Sequence, residues 1–189
     1  MENFQARDVC RIMDERQVRA VISKMAREVA DAYRNDLANL VFLGVARRGV
    51  PIAKMAGAAF KEQTGASVLV AAIDAKIYND DLTYVSKNGQ AVIKPFENSG
   101  LKGKIAVVWD DVAYTLQTFE AIYPAIRANG PTETEFAVLV DRFQWHKKER
   151  EIYAPRFFGL RQETSSDQII KVHMPEFDGD MCVWLQERF

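Results

Sequence analysis

Four apolar runs set the plan of this chain: Leu40 to Val45, Ser67 to Ile73, Lys104 to Trp109 and Thr134 to Val140. Continuous apolar runs of this length suit strands covered on both faces, not the alternating strands of a half-exposed sheet. Helical spacing fills the intervals. Asp14 to Arg34 places Val18, Val21, Ile22, Met25 and Val29 on one stripe and Arg19, Lys24, Arg27, Glu28 and Asp31 on other faces. Gly49 and Pro51 open a second helix that runs to about Lys61, since Pro is tolerated in a first turn. Thr118 to Asn129 reads as a third, stopping before Gly130 and Pro131. Shorter strands are expected at Arg156 to Phe158, Ile169 to His173 and Met181 to Leu185. Strand and helix alternate at βαβ lengths, which predicts an α/β fold with an open, mostly parallel sheet and helices on both faces. Ligands of such sheets bind outside the carboxyl ends of the strands.

The 189 residues are 48% hydrophobic, enough for one compact domain spanning 1–189 but cramped for two. Charge nearly balances, with 25 Lys and Arg against 26 Asp and Glu, so nothing global attracts nucleic acid or an acidic membrane. Cys10 and Cys182 are far apart and in no metal-ligand spacing, which predicts ordinary thiols. No apolar run is long enough to span a bilayer, and the start lacks a signal-peptide plan, so a soluble protein of the cytoplasm is expected.

The stretch from Lys76 to Gly103 is polar and rich in turn residues, with a candidate hairpin turning at Asn88 and Gly89. Long polar connections in compact domains are often functional lids.

Chemistry concentrates between Lys104 and Thr118, where an apolar strand ends in Asp110 and Asp111, and a short turn carries Thr115 and Thr118 into a helix. Adjacent carboxylates can accept hydrogen bonds from two vicinal ribose hydroxyls and help hold hydrated Mg²⁺. Threonine hydroxyls and the amides of a helix N-terminus suit a phosphate. An isolated Asp-Asp pair would merely cap and solvate a loop. The order of strand, two acids, turn, Thr-x-x-Thr and helix favours a sugar-phosphate site.

The segment Val107 to Thr118 (VVWDDVAYTLQT) resembles the phosphoribosyl-diphosphate (PRPP) motif of type I phosphoribosyltransferases, nearest the PyrR branch of pyrimidine-operon regulators and uracil phosphoribosyltransferases. The likeness extends to Met13 to Glu15, Gly44 to Gly49 as a diphosphate loop, Tyr78 to Leu82 at the start of a hood, Ala137 to Arg142, Phe158-Gly159 and Thr164-Ser165. It implies the type I phosphoribosyltransferase fold with a hood over 76–103, and transfer of phosphoribose from PRPP to a nucleobase, with Mg²⁺. Asp110 and Asp111 would hold the ribose hydroxyls and, through water or ribose, the metal. Tyr114, Thr115, Leu116, Gln117 and Thr118 would take the 5-phosphate. Arg47, Arg48 and Gly49 would face the diphosphate, and Asp141, Arg142, Phe158 and Gly159 the base. A homo-oligomer is expected from the same resemblance.

The chain departs from that pattern in three places. Leu116 stands where the family carries Gly, with Gln117 where the PyrR branch has Arg; Asn79 replaces an Arg beside the hood tyrosine; and Leu160 replaces a Lys. Each removes a donor or loop freedom from anion handling. Two functions therefore remain open: a transferase acting on a base such as uracil, and a weakened PRPP- or nucleotide-binding domain that acts through RNA, DNA or a protein partner. The run Trp145 to Glu151 is expected to be an exposed loop and a candidate partner surface. His146 and His173 are expected in surface or structural roles.

Overall fold

The computed structural model describes residues 6–74, 92–94 and 100–189. A six-stranded sheet forms its centre, in the order β4-β3-β2-β5-β6-β7. These strands are β2 (Leu40–Val45), β3 (Leu69–Asp74), β4 (Val92–Lys94), β5 (Ile105–Ala113), β6 (Glu133–Asp141) and β7 (Phe157–Arg161). Five of them run parallel, and only β4 is antiparallel, against β3.

Helices cover both faces. α1 (Glu15–Ala32) and α2 (Gly49–Thr64) lie on one side, where Val18, Ile22, Met25, Ile52 and Phe60 pack on Phe42, Val107 and Trp109. α3 (Gln117–Ala128) lies on the other, where Phe119, Ile122 and Ile126 pack on Leu43, Val108 and Val138. Alternate side chains of β2 and β5 therefore feed two cores, which is why those runs are apolar throughout. α1 begins where Asp14 accepts from the Gln17 amide and the Gln17 side chain accepts from the Asp14 amide, a reciprocal capping box.

A second sheet was not anticipated. β1 (Ala6–Met13), β9 (Cys182–Arg188) and β8 (Gln168–His173) form an antiparallel sheet in that order, with the short helix α4 (Pro175–Asp178) between β8 and β9. β1 is exposed along most of its length, so no burial pattern betrays it; pairing with β9 at the far end of the chain defines it.

β5 also corrects the expected strand end. It continues four residues past Trp109 and pairs with β6 as far as Ala113 opposite Asp141, so both aspartates sit within a strand. Val92 to Lys94 is the described piece of the polar stretch before Gly100; the hairpin at Asn88 and Gly89, the hood start at Tyr78 to Leu82 and Asn79 lie outside the described residues.

Candidate active site

The carboxyl ends of β2 and β5 meet through two glycines. β2 turns at Ala46 to Arg48 into α2, and a Cβ on Gly49 would overlap the Trp109 carbonyl oxygen and lie 3.3 Å from Asp110 Cα. A Cβ on Gly44 would sit 2.5 Å from Val50 Cα. The absence of side chains at these two positions lets the α2 N-terminus rest against the strand that carries the acids. The Ala46–Arg47 peptide in this turn is cis.

Asp110 and Asp111 are half-buried, and each folds back on the chain: the Asp111 amide donates to Asp110 Oδ1 at 2.9 Å, and the Val112 amide to Asp111 Oδ1 at 2.8 Å. Burial pushes both carboxyls above their usual range, Asp110 well above it because the Asp111 charge lies beside it. Arg48 and the Val112 amide oppose the rise at Asp111. The pair therefore stands in the fold as a cluster of acid with incomplete compensation.

Next to it lies a cavity of about 220 Å³ lined by Asp110, Tyr114, Thr115, Leu116, Gln117 and Thr118. The α3 N-terminus opens into it with no side-chain cap, so amides of its first turn lack intrahelical acceptors. Leu116 is the N-cap, at φ 62° and ψ 11°, in the left-handed region that favours glycine. Its side chain is only 3% exposed and packs in the core beneath α3 with Phe119. The loop freedom expected to be lost at Leu116 is thus met otherwise: the backbone takes the glycine-like conformation, and the side chain is buried in the core.

Arg47 is exposed and Arg48 half-buried. Arg48 is held by Asp178 of α4, a partner that no motif or spacing marks. On the base side, the Arg142 guanidinium lies 4.2 Å above the Tyr114 ring and donates to Thr164 Oγ1 and the Gln168 carbonyl, both at 2.9 Å. Trp145 stands edge-on to Tyr114, with centroids 5.6 Å apart, and its Nε1 donates to Thr164 Oγ1. The run Trp145 to Glu151, expected as an exposed loop, is instead divided between two short 3-10 turns, Phe143–Trp145 and Lys148–Tyr153, with Trp145 half-buried.

Asp141 is fully buried. Arg161 Nε donates to its Oδ2 at 3.1 Å, and His146 Nε2 lies 2.8 Å from its Oδ1, at ion-pair distance but off the line of a hydrogen bond. The Arg161 guanidinium also covers the Phe158 ring at 4.2 Å. Gly159 stands apart from this group. A Cβ there would overlap Val21 of α1 and come 2.6 Å from the Leu139 carbonyl, so it serves the approach of α1 to the sheet. Leu160 packs on the same core. The structure therefore brings together Arg48, Gly49, Asp110 and Asp111, and places Tyr114 to Thr118 and Arg142 alongside; no sequence signal marks Asp178 and Trp145 as their partners, or His146 and Arg161 as the partners of Asp141.

Comparison with known proteins agrees with this layout. A family model described as phosphoribosyl transferase domain matches residues 11–174. The bifunctional protein PyrR of Clostridium perfringens is 33% identical over 177 residues, covering 93% of this chain and 96% of that protein. PyrR of Acetivibrio thermocellus is 34% identical, covering 95% of each. Among solved structures, the hypoxanthine phosphoribosyltransferase of Trypanosoma cruzi superposes with a TM-score of 0.69 at 12% identity, covering 96% of this chain and 98% of that one. The hypoxanthine-guanine phosphoribosyltransferase of Bacillus anthracis gives 0.68 at 13%, covering 96% and 99%. No helix among the described residues is long and apolar enough to cross a membrane. The chain belongs to the phosphoribosyltransferase family, enzymes of the glycosyltransferase class, with PyrR proteins among its relatives.

Proposed function

We propose that this protein is a cytoplasmic, Mg²⁺-dependent transferase that moves phosphoribose from PRPP to a pyrimidine base, uracil foremost. The observation that carries this reading is the uncapped α3 N-terminus with Leu116 in the left-handed conformation, next to the half-buried pair Asp110 and Asp111. The helix amides and the Thr115 and Thr118 hydroxyls would take the 5-phosphate. Asp110 and Asp111 would accept from the two ribose hydroxyls and so fix the sugar ring under the incoming base.

The donor set fits a hard cation, because the acids offer carboxylate oxygens and, among the described residues, no thiol or imidazole lines the cavity. Mg²⁺ bound there with diphosphate would offset the charge that grows on the leaving oxygens. Arg48, pre-oriented by Asp178, and exposed Arg47 would donate to the same diphosphate as the bond to ribose C1 breaks. Tyr114, Arg142 and Trp145 would wall the base side.

Incubation with PRPP, Mg²⁺ and a panel of nucleobases tests this directly. Diphosphate release with formation of UMP from uracil is expected, and no nucleotide from any base with folded protein rejects it.

A second reading has one observation in its favour. Asp141 is closed off by Arg161 and His146, and half-buried Leu160 packs against the core, so the base side has one buried acid already engaged and a position that offers no donor. A homo-oligomeric PRPP or nucleotide sensor that acts through RNA, DNA or a protein partner would need binding without turnover. Calorimetric affinity for PRPP or UMP in the absence of product formation selects it.

A further inference from the structure

The antiparallel sheet carries a separate set of donors, away from the acid pair. His173 ends β8, Cys182 begins β9, and the two are cross-strand partners, which puts their side chains on one face. The turn between them brings Asp180 over the pair. Asp180 Oδ1 lies 2.8 Å from His173 Nδ1, and Oδ2 accepts from Cys182 Sγ at 3.2 Å. A ring nitrogen, a thiol and a carboxylate oxygen thus lie within 4.8 Å of one another. His173 Nε2 is buried with no partner among the described residues, so the ring's polar engagement is through Nδ1 toward this cluster.

The geometry and donor types select a class of ion. Ligands of a tetrahedral Zn²⁺, bound at about 2.0–2.3 Å, stand roughly 3.2–3.8 Å apart. Reaching that arrangement asks for shifts of about 1 Å, and the side chain of Asp180, 59% exposed, is free to make them. Cys182 is buried, so the cluster opens to solvent on the Asp180 side alone. Imidazole with thiol disfavours Mg²⁺ and Ca²⁺, which take oxygen, and favours zinc and its neighbours. Cys182 keeps its proton in the free protein, since burial and Asp180 push the thiol up to about 11; a bound dication would displace that proton.

We propose that His173, Asp180 and Cys182 form a site for a borderline-soft divalent cation, Zn²⁺ foremost, with a fourth position open to water. The site lies beside the active-site frame without sharing its residues. Asp178, which holds Arg48, is two residues from Asp180, so an ion would brace the turn that fixes that arginine.

Cobalt reports the site, because a thiolate bound to Co²⁺ gives a near-ultraviolet charge-transfer band that oxygen ligands do not. The full chain carries two cysteines, and Cys10→Ser leaves Cys182 as its only thiol. Titrating chelator-treated Cys10→Ser protein with Co²⁺ should raise the band to saturation at one equivalent, and Zn²⁺ should abolish it. His173→Gln should weaken binding at least tenfold, and Asp110→Asn should leave the band intact, which separates this site from any metal at the acid pair. Absence of a thiolate band from the folded Cys10→Ser protein overturns the proposal, and so does unchanged Co²⁺ affinity in His173→Gln.

Discussion

Arg48 donates three hydrogen bonds to the carboxylate of Asp178, at 2.8 and 3.0 Å from Nη2 and 3.3 Å from Nε, across 130 residues of chain. The pair is mostly shielded, with side chains 28% and 13% exposed, and it clamps the turn after β2 to α4. Asp178 also accepts from the Met174 amide, so the clamp is itself anchored.

Asp178→Ala should therefore affect substrate and stability together. Loss of one member leaves a partly buried guanidinium without its acceptor, costing about 1–3 kcal/mol, less than a fully buried pair would. The KM for PRPP should rise about tenfold while the KM for the base changes little, if Arg48 serves the diphosphate as proposed. Burial would raise the Asp178 carboxyl, but the Met174 amide and Arg48 outweigh it and hold it below its ordinary value. A depressed carboxyl stabilises the fold above its unfolded value of about 4 and loses that contribution as pH falls through the folded one. The wild type should accordingly lose stability relative to Asp178→Ala on acidification through that window, as read by thermal melts.

Leu116→Gly separates the loop's backbone from its side chain. Glycine would relieve a left-handed residue of about 1–2 kcal/mol, but it would also empty a leucine-sized space in a core that contains Phe119, at about 2–5 kcal/mol. The melting temperature should fall by several degrees, roughly 2–4 °C per kcal/mol for a chain of this size. The PRPP affinity should stay within about threefold, because the backbone already has the glycine-like conformation. A large gain in turnover would show instead that the Cβ obstructs the phosphate.

What was legible in the sequence was local. Asp110 to Thr118 lie in one segment, so their strand, turn and helix could be read together, and the apolar runs of β2, β5 and β6 declare a doubly covered sheet. The hidden parts are non-local or lack a periodic signal. β1 is exposed on both faces and exists through its pairing with β9. Asp178 sits in a four-residue helix and meets Arg48 only because β8 and β9 return to the carboxyl end of the sheet. At Leu116 the residue type signals a loss of loop freedom but tells nothing of where a left-handed backbone sends its side chain. Arg161 and His146 converge on Asp141 from two different elements, which no spacing announces.

Gly49→Ala tests the contact between α2 and β5. A methyl group there overlaps the Trp109 carbonyl oxygen and presses on Asp110 Cα, both backbone atoms of a central strand that cannot give way. Destabilisation of about 1–3 kcal/mol is expected from overpacking. Arg48 would move away from Asp111, so kcat/KM for PRPP should fall more than stability alone explains. Denaturant melts alongside kinetics at a temperature where both proteins are folded distinguish the two effects.

Asp110→Asn should stabilise the fold while removing activity. Burial and the neighbouring Asp111 charge hold the Asp110 carboxyl well above its unfolded value of 3.8, so the folded state binds more protons than the unfolded one between those two values. Stability therefore falls as pH rises through that interval and stays reduced above it. The amide carries no charge to desolvate or repel, so the variant should melt higher than wild type at neutral pH and lose that advantage below about pH 4. Activity should follow the opposite course. In its proposed role Asp110 accepts from the ribose hydroxyls in its ionised form, so wild-type kcat/KM for PRPP should drop as pH falls through the raised value, and Asp110→Asn should be low at every pH. A wild type that melts as high as Asp110→Asn at neutral pH would mean that Arg48 and the backbone amides of Asp111 and Val112 already neutralise the pair, and that the acids are not held in readiness for a ligand.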